Sequence, residues 1–256
     1  MALASAAREA RERTRGHRVS ARAERYLQEI GITVYKRRGF EPQPQSAPSI
    51  PAESASVPRV VAEPPPAANT AEAWERLAAE VRTCTLCALH KTRTQTVFGV
   101  GRRDAELLVI GEAPGADEDR QGEPFVGRAG QLLNAMLRAI GLPRSEVYIA
   151  NILKCRPPGN RDPQPEEASL CTPYLSRQIA LVNPRAILAV GRISAQWLLQ
   201  TDSPIGRLRG RVFRYGDSGT PLVVTYHPAY LLRSPLQKAT AWTDLCMVKE
   251  LLQKRA

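Results

Sequence analysis

Four cysteines occur in two pairs whose spacing suits the binding of a metal centre. Cys84 and Cys87 form a CxxC motif, while Cys155 and Cys171 stand sixteen positions apart in a stretch rich in proline and charge. Four thiolates can hold a tetrahedral zinc ion or an iron–sulfur cubane, and cysteines with no shared role are a third interpretation. Zinc ribbons usually have two closely spaced CxxC pairs, a pattern that the second pair here does not follow. The spacing therefore favours an iron–sulfur cluster and leaves zinc as an alternative.

A glycine-rich, acidic segment, GEAPGADEDRQGEPFVG at residues 111–127, holds further residues with chemical potential. It combines permissive glycines with a dense set of carboxylates directly after an apolar run. Phe125 stands among polar residues, where its ring can stack on a planar base or anchor the loop to the core. A simple acidic turn is the alternative interpretation of this segment.

Two polar residues end apolar segments elsewhere in the chain. Asn151 ends VYIAN, and its amide offers a donor and an acceptor side by side, as hydrogen bonding to a base edge requires. His227 ends LVVTYH and precedes Pro228. A turn cap at Asn151 and a structural histidine at His227 are the alternatives.

The rest of the sequence predicts the elements that position these residues. Apolar segments typical of buried strands alternate with amphipathic segments typical of helices. The predicted strands are residues 106–111, 147–151, 186–191, 212–215 and 222–227. The predicted helices are residues 128–140, 166–182, 192–200 and 236–254, after a first helix capped by Thr70. This pattern predicts an α/β fold, a three-layer α/β/α sandwich with a central, mostly parallel sheet.

In such sheets, ligands bind at the carboxyl ends of the strands. The segment at 111–127, Asn151 and His227 each follow a predicted strand. We therefore expect them to meet at one edge of the sheet.

Taken together and in order, these motifs resemble one family. The chain reads GEAPG, then EDRQGEPFVGRAG, then YIANILKCRPPGNR, then a cysteine sixteen residues after Cys155, then YHPAYLLR. This series resembles the family-four uracil-DNA glycosylases, which carry a [4Fe–4S] cluster. The resemblance covers about residues 72–254 and implies the fold of the uracil-DNA glycosylases.

The resemblance also implies roles for individual residues. It assigns the cluster ligands to Cys84, Cys87, Cys155 and Cys171. It assigns the uracil contacts to Glu112, Ala113, Phe125 (under the flipped base), Asn151 (on the base edge) and His227.

The family pattern differs from that of broader relatives, whose first motif begins GQDPYH. The Asp that handles the attacking water in those relatives corresponds to Ala113 here, and the Tyr that excludes thymine corresponds to Gly115. We therefore predict that Glu112 positions the hydrolytic water, with Glu118 as a second candidate. Either carboxylate could instead bond backbone amides. We predict that a neutral His227 donates a hydrogen bond to a ring carbonyl, so Glu112 and His227 are the predicted catalytic residues.

The implied activity is that of a DNA-repair glycosylase, which flips uracil out of DNA, hydrolyses its N-glycosidic bond and leaves an abasic site. A non-catalytic iron–sulfur module that binds nucleic acid is the rival from another class. A glycosylase that accepts other deaminated bases is a nearer rival.

Basic and apolar residues near these motifs are candidates for DNA contacts. In AYLLRS, Leu231 or Leu232 could fill the gap left in the duplex while Arg233 meets a phosphate. The other predicted DNA-binding residues are Arg128, Lys154, Arg156 and Arg161.

Charge and composition predict three regions. The formal net charge is +11, and residues 1–40 contribute ten basic against four acidic side chains. We predict a basic N-terminal extension at 1–40, partly ordered or disordered, and a disordered, proline-rich linker at 41–69. The cluster-containing glycosylase domain is predicted at 70–256.

The same sequence predicts the setting in which the protein works. Arg and Glu alternate near the N-terminus where a secretory signal would have an apolar run, and no apolar run is long enough to span a bilayer. We expect a cytoplasmic monomer without a membrane partner, acting on uracil in single- or double-stranded DNA.

Overall fold

A computed structural model describes residues 70–253 of the chain. The predicted extension at 1–40 and the predicted linker at 41–69 lie outside the described residues. The α-helices are α1 (Ala71–Arg82), α2 (Ala116–Gln121), α3 (Arg128–Ala139), α4 (Pro165–Val182), α5 (Arg192–Leu199), α6 (Ile205–Leu208), α7 (Pro228–Arg233) and α8 (Lys238–Gln253). The strands are β1 (Val100–Gly101), β2 (Leu107–Gly111), β3 (Tyr148–Asn151), β4 (Ala186–Val190), β5 (Val212–Tyr215) and β6 (Thr220–Thr225).

The described strands form one six-stranded sheet in the order β1-β3-β2-β4-β6-β5. Strands β3, β2, β4 and β6 are parallel to one another, whereas β1 and β5 pair antiparallel at the two edges. The prediction of a mostly parallel sheet is confirmed. The two-residue strand β1 was not predicted, because it is too short to carry a periodic pattern.

Helices cover both faces of this sheet and produce three layers. Successive residues of β2 point to opposite faces, so Leu108 packs with Trp74 and Leu175 in one apolar cluster. Val109 packs with Leu137 of α3 in the other cluster, which also contains residues of α8. Both faces of the central strands are therefore buried, as the continuous apolar runs predict.

Helix α1 begins as predicted. The Thr70 hydroxyl accepts a hydrogen bond from the Ala73 amide at 3.1 Å, and Trp74, Leu77 and Val81 form the buried face.

Two segments that contain or follow prolines are helical. AYLLRS lies mostly in α7, and Cys171 lies in α4, which matches the helix predicted at 166–182. Pro228 and Pro165 occupy first helical positions, where a proline lacks no hydrogen bond that the helix needs. Proline therefore starts these two helices and does not indicate loop structure here.

Across residues 70–253, no helix combines the length and apolar character needed to cross a membrane.

Candidate active site

The predicted base-contacting residues meet at the carboxyl edge of the parallel strands. Gly111 ends β2 and pairs in register with Asn151, which ends β3. His227 follows β6 and is the N-cap residue of α7. The rings of Phe125 and His227 lie 5.7 Å apart between centroids, with 31° between their planes. The predicted convergence of these motifs is present in the fold.

Gly111 lies in close contact with the side chains of Asn151 and Phe125. A Cβ added there would lie 2.4 Å from Asn151 Oδ1 and 2.7 Å from the Phe125 ring. Both contacts are closer than side chains tolerate, so only glycine lets the amide and the ring approach the end of β2 together.

Asn151 is buried, with 2% of its surface exposed, and its Oδ1 has no hydrogen-bond partner among the described residues. An unpaired buried acceptor costs about 1–3 kcal/mol. Such a group calls for a partner, and a ligand bound in the site could supply it.

The contacts of His227 define its protonation. Its Nδ1 accepts a hydrogen bond from the Ala229 amide at 3.2 Å, so the ring proton is on Nε2. Burial lowers the pKa of His227 to about 4; nearby Arg233 lowers it further, and Glu118 opposes them. The imidazole is therefore neutral near pH 7 and presents Nε2–H as a donor.

The backbone of Phe125 adopts an unusual conformation. Its φ is +55°, a left-handed value that costs a bulky residue about 1–3 kcal/mol. Its carbonyl oxygen lies against the first turn of α3, where a Cβ on Gly130 would be 1.8 Å away. The loop is thus tightly fixed against the helix.

Glu118 shapes the same loop. Its carboxylate accepts hydrogen bonds from the amides of Gly115 (3.1 Å), Val126 (3.0 Å) and Gly127 (3.3 Å). Both oxygens are occupied by the backbone, so the alternative prediction for Glu118, that it shapes the loop, describes its position better than a role in holding water.

Glu112 is a second carboxylate near the end of β2. Burial raises the pKa of Glu112 to about 7; Asp162 adds to this rise and Arg192 opposes it. Arg192 forms an ion pair with Asp162 at 2.7 Å. Ala113 follows Glu112 and is half-buried at the start of the loop.

Sequence reasoning did not include Arg192 and Asp162 in the site. Arg192 begins α5 directly after β4, a parallel strand whose carboxyl end lies at the same edge as those of β2 and β3. Applying the strand-end rule to β4 would have identified it. Asp162 lies in the loop after β3 and had no comparable signal.

The four predicted metal ligands line one cavity, together with Arg93 and Tyr174 among others. Within the described part of the chain, no three His, Cys, Asp or Glu side chains are grouped closely enough for a single metal ion. The cavity nevertheless offers four thiols to a metal centre.

Two of these sulfurs accept hydrogen bonds from nitrogen donors. Arg93 Nη1 lies 3.0 Å from Cys155 Sγ, and the Lys154 amide lies 3.2 Å from Cys171 Sγ. Such donors stabilise negative charge on sulfur and are a recognised feature of iron–sulfur sites. Burial raises the pKa of Cys155 and raises that of Cys171 to about 11, so a bound cation would be needed to favour the thiolates at neutral pH.

Two of the predicted DNA contacts are buried in this structure. Lys154 is 1% exposed, and its Nζ donates to the Asn151 carbonyl (2.8 Å) and to Gln178 Oε1 (2.6 Å), so its charge lies inside the domain. Leu231 is also 1% exposed and packs in the core, whereas Leu232, on the next face of α7, is 38% exposed.

The other basic candidates lie closer to solvent. Arg128 and Arg233 are exposed. Arg156 Nε donates to Asn160 Oδ1 at 2.7 Å, and Arg161 forms two hydrogen bonds with the Glu167 carboxylate. Arg156 and Arg161 therefore have protein partners, which fix their direction.

Comparisons with known proteins identify similar chains. The family model for the uracil DNA glycosylase superfamily matches residues 98–246. A type-4 uracil-DNA glycosylase of Archaeoglobus fulgidus is 44% identical over 191 residues, 72% of this chain and 96% of the relative. Its counterpart in Pyrobaculum aerophilum is 42% identical over 65% of this chain and 88% of the relative. The type-4 uracil-DNA glycosylase of Thermotoga maritima is 42% identical over 64% of this chain and 85% of the relative.

Proposed function

This chain belongs to the type-4 uracil-DNA glycosylases of the uracil-DNA glycosylase superfamily, and we propose that it excises uracil at the site formed by Phe125, Asn151 and His227. The enzyme hydrolyses the N-glycosidic bond that joins uracil to deoxyribose in DNA. It releases free uracil and leaves an abasic site, the first step of base excision repair.

The observation that carries the proposed site is the unpaired acceptor of Asn151. Uracil offers a ring N–H beside a carbonyl, which match the amide oxygen and amide nitrogen of asparagine. Cytosine presents an acceptor and an amino group in these positions. Binding it would leave buried polar groups unpaired, so the same contact rejects it.

Phe125 and His227 complete the recognition of the flipped base. The Phe125 ring lies beside Asn151 and provides a flat surface for stacking. Negative charge develops on uracil as the glycosidic bond breaks, and the Nε2–H of a neutral His227 is a preorganised donor for a ring carbonyl.

Glu112 is the residue that we assign to the hydrolytic water. It follows Gly111 directly, and burial together with Asp162 keeps its pKa near 7, where a general base is effective. The next residue, Ala113, carries no carboxylate that could share this role.

We assign a [4Fe–4S] cluster to the cavity of Cys84, Cys87, Cys155 and Cys171. Four cysteines around one cavity and N–H donors at two of their sulfurs support a cluster, and the sequence spacing of Cys155 and Cys171 is unlike that of a zinc ribbon. When bound, the cluster would join the end of α1, the loop after β3 and helix α4. Its proposed contribution is structural.

DNA would approach over the exposed face of α7. Leu232 replaces Leu231 as the residue that fills the gap in the duplex, because only its side chain is available to solvent. Arg128, Arg156, Arg161 and Arg233 are the proposed phosphate contacts.

We also propose that the enzyme works as a monomer in the cytoplasm on single- or double-stranded DNA. No disulfide joins the cysteines within residues 70–253, which agrees with a reducing compartment.

Cleavage assays test the proposed site. The purified protein is incubated with oligonucleotides that contain uracil, thymine or hypoxanthine, and abasic sites are then cut with alkali. We expect cutting at uracil, none at thymine, and loss of cutting in the variant Asn151→Ala. Absence of cutting at uracil in the wild-type protein would contradict the proposal, and cutting at hypoxanthine would extend the substrate range.

The cluster is tested on the same preparation. We expect a brown protein that contains iron and acid-labile sulfide in equal amounts, with both lost in Cys171→Ser. A colourless protein that contains zinc would contradict the assignment.

A further inference from the structure

Arg144 contacts the backbone that carries the base-stacking ring. It lies in the short 3-10 turn Arg144–Glu146, before β3. Its Nη2 donates to the Pro124 carbonyl at 2.7 Å, and its Nη1 donates to the Phe125 carbonyl at 3.4 Å. Asn134 Oδ1 accepts from the same Nη1 at 3.4 Å, which orients the guanidinium toward the loop.

The planar fork of the guanidinium suits this task. One arginine reaches two successive carbonyls, which a lysine ammonium does with less geometric definition. Arg144 is half-buried, and burial lowers its pKa, an effect that Glu123 opposes at 4.0 Å. Its charge is partly removed from water, which strengthens its hydrogen bonds.

The loop is therefore held from two directions. Glu118 accepts from the amides of Val126 and Gly127, which follow Phe125, and Arg144 donates to the carbonyls of Pro124 and Phe125. Phe125 needs such support because its left-handed backbone is unfavourable in isolation.

We propose that Arg144 is a positioning residue that fixes the backbone of Pro124 and Phe125 and so presets the Phe125 ring for the flipped base. The inference rests on the function proposed above. Arg144 does not touch the reacting atoms; it acts through Phe125.

A double-mutant cycle with Phe125 tests this role. We expect Arg144→Met to lower the single-turnover rate of uracil release by about tenfold to a hundredfold, because small misplacements of binding groups have effects of this size. Arg144→Lys should restore part of the rate. The affinity for a duplex that holds an abasic site should not change, since no base is present to stack.

The matched control is Arg138→Met. Arg138 is exposed in the same cleft as Arg144 and makes no hydrogen bond to the loop among those described, so its loss should leave the rate unchanged. In a Phe125→Ala background, Arg144→Met should cause no further loss. Multiplicative losses, or equal effects of Arg138→Met and Arg144→Met, would overturn the proposal.

Hydrogen exchange of the DNA-free protein gives a readout that does not depend on catalysis. We expect Arg144→Met to accelerate exchange of the Val126 and Gly127 amides by more than the loss of global stability, measured as the melting temperature, can explain. Arg138→Met should leave the exchange of both amides unchanged. Unchanged exchange in Arg144→Met would overturn the proposal. A wild-type protein without uracil release would contradict the proposed function, while the exchange result would still test the support of the loop.

Discussion

His227 is set up as a neutral hydrogen-bond donor at the residue scale. The Ala229 amide occupies Nδ1, and burial keeps the ring from gaining a second proton. A neutral donor stabilises the departing uracil anion without a proton transfer, and its direction is already fixed before the substrate binds.

Replacement of this donor should reduce catalysis while leaving the fold intact. We expect His227→Ala to lower single-turnover uracil release by about 10²–10³-fold, the usual effect of removing one preorganised donor. Iron content and the melting temperature, measured on the same sample, should stay close to those of the wild type. Unchanged uracil release would remove His227 from the mechanism.

Glu112 and His227 together predict how the rate depends on pH. A water-positioning Glu112 must be ionised, so the rate should fall about tenfold per unit as the pH drops below about 7. His227 should not titrate in this range, because its pKa of about 4 keeps it neutral. Single-turnover rates between about pH 5 and 9 measure this dependence.

Glu112→Gln serves as the control for the pH profile. It cannot ionise, so its residual rate should be low and lack the dependence near pH 7. A wild-type dependence that persists in Glu112→Gln would assign the titration to another group.

At the scale of elements, helix α7 separates two neighbouring leucines. Leu231 lies against the core and Leu232 faces solvent, so the two should respond differently to truncation. We expect Leu231→Ala to cost about 2–5 kcal/mol of unfolding free energy, as for other buried leucines. Leu232→Ala should leave stability nearly unchanged.

The effect of Leu232→Ala should appear in activity on duplex DNA. Its side chain is proposed to fill the gap that the flipped base leaves, a gap that exists only in a duplex. Uracil release from double-stranded oligonucleotides should fall more than release from single strands. Equal losses on both substrates would argue against this role.

The elements were easier to predict than the direction of individual side chains. The run VYIAN is apolar up to Asn151, as is typical of a buried parallel strand. The sequence therefore predicts both the strand and its polar end. Lys154 looks like a surface cation in sequence, because its partner Gln178 lies 24 residues away and only the fold brings them together. Which side chains of α7 face the core depends on the residue at which the helix begins. A six-residue helix is too short for its apolar pattern to predict that face.

At the scale of the whole molecule, one buried lysine links the base site to the cysteine cavity. The Lys154 ammonium donates to the Asn151 carbonyl, and the Lys154 amide donates to Cys171 Sγ. Hydrogen bonds of one residue therefore connect the two sites, which agrees with a structural role for the proposed cluster.

The charge of residues 1–69 should influence DNA binding as a whole. Residues 1–40 alone contribute +6 of the net +11. Basic side chains that bind DNA phosphates release the counterions condensed on the DNA, and this release makes the affinity depend on salt. Deletion of residues 1–69 should therefore flatten the dependence of affinity on salt concentration. Binding titrations at several salt concentrations measure the slope, and an unchanged slope would mean that the segment serves another purpose. Single-turnover uracil release at saturating DNA should be retained.

Gly111 limits the routes by which this enzyme could acquire a new base preference. Any side chain at this position would displace both the Asn151 amide and the Phe125 ring. Substitution at Gly111 should therefore abolish base recognition. At Gly115 a Cβ would lie 2.6 Å from the Glu118 carboxylate that shapes the loop, whereas Ala113 already carries a Cβ. Directed evolution of substrate scope should accordingly begin at Ala113 and leave both glycines untouched.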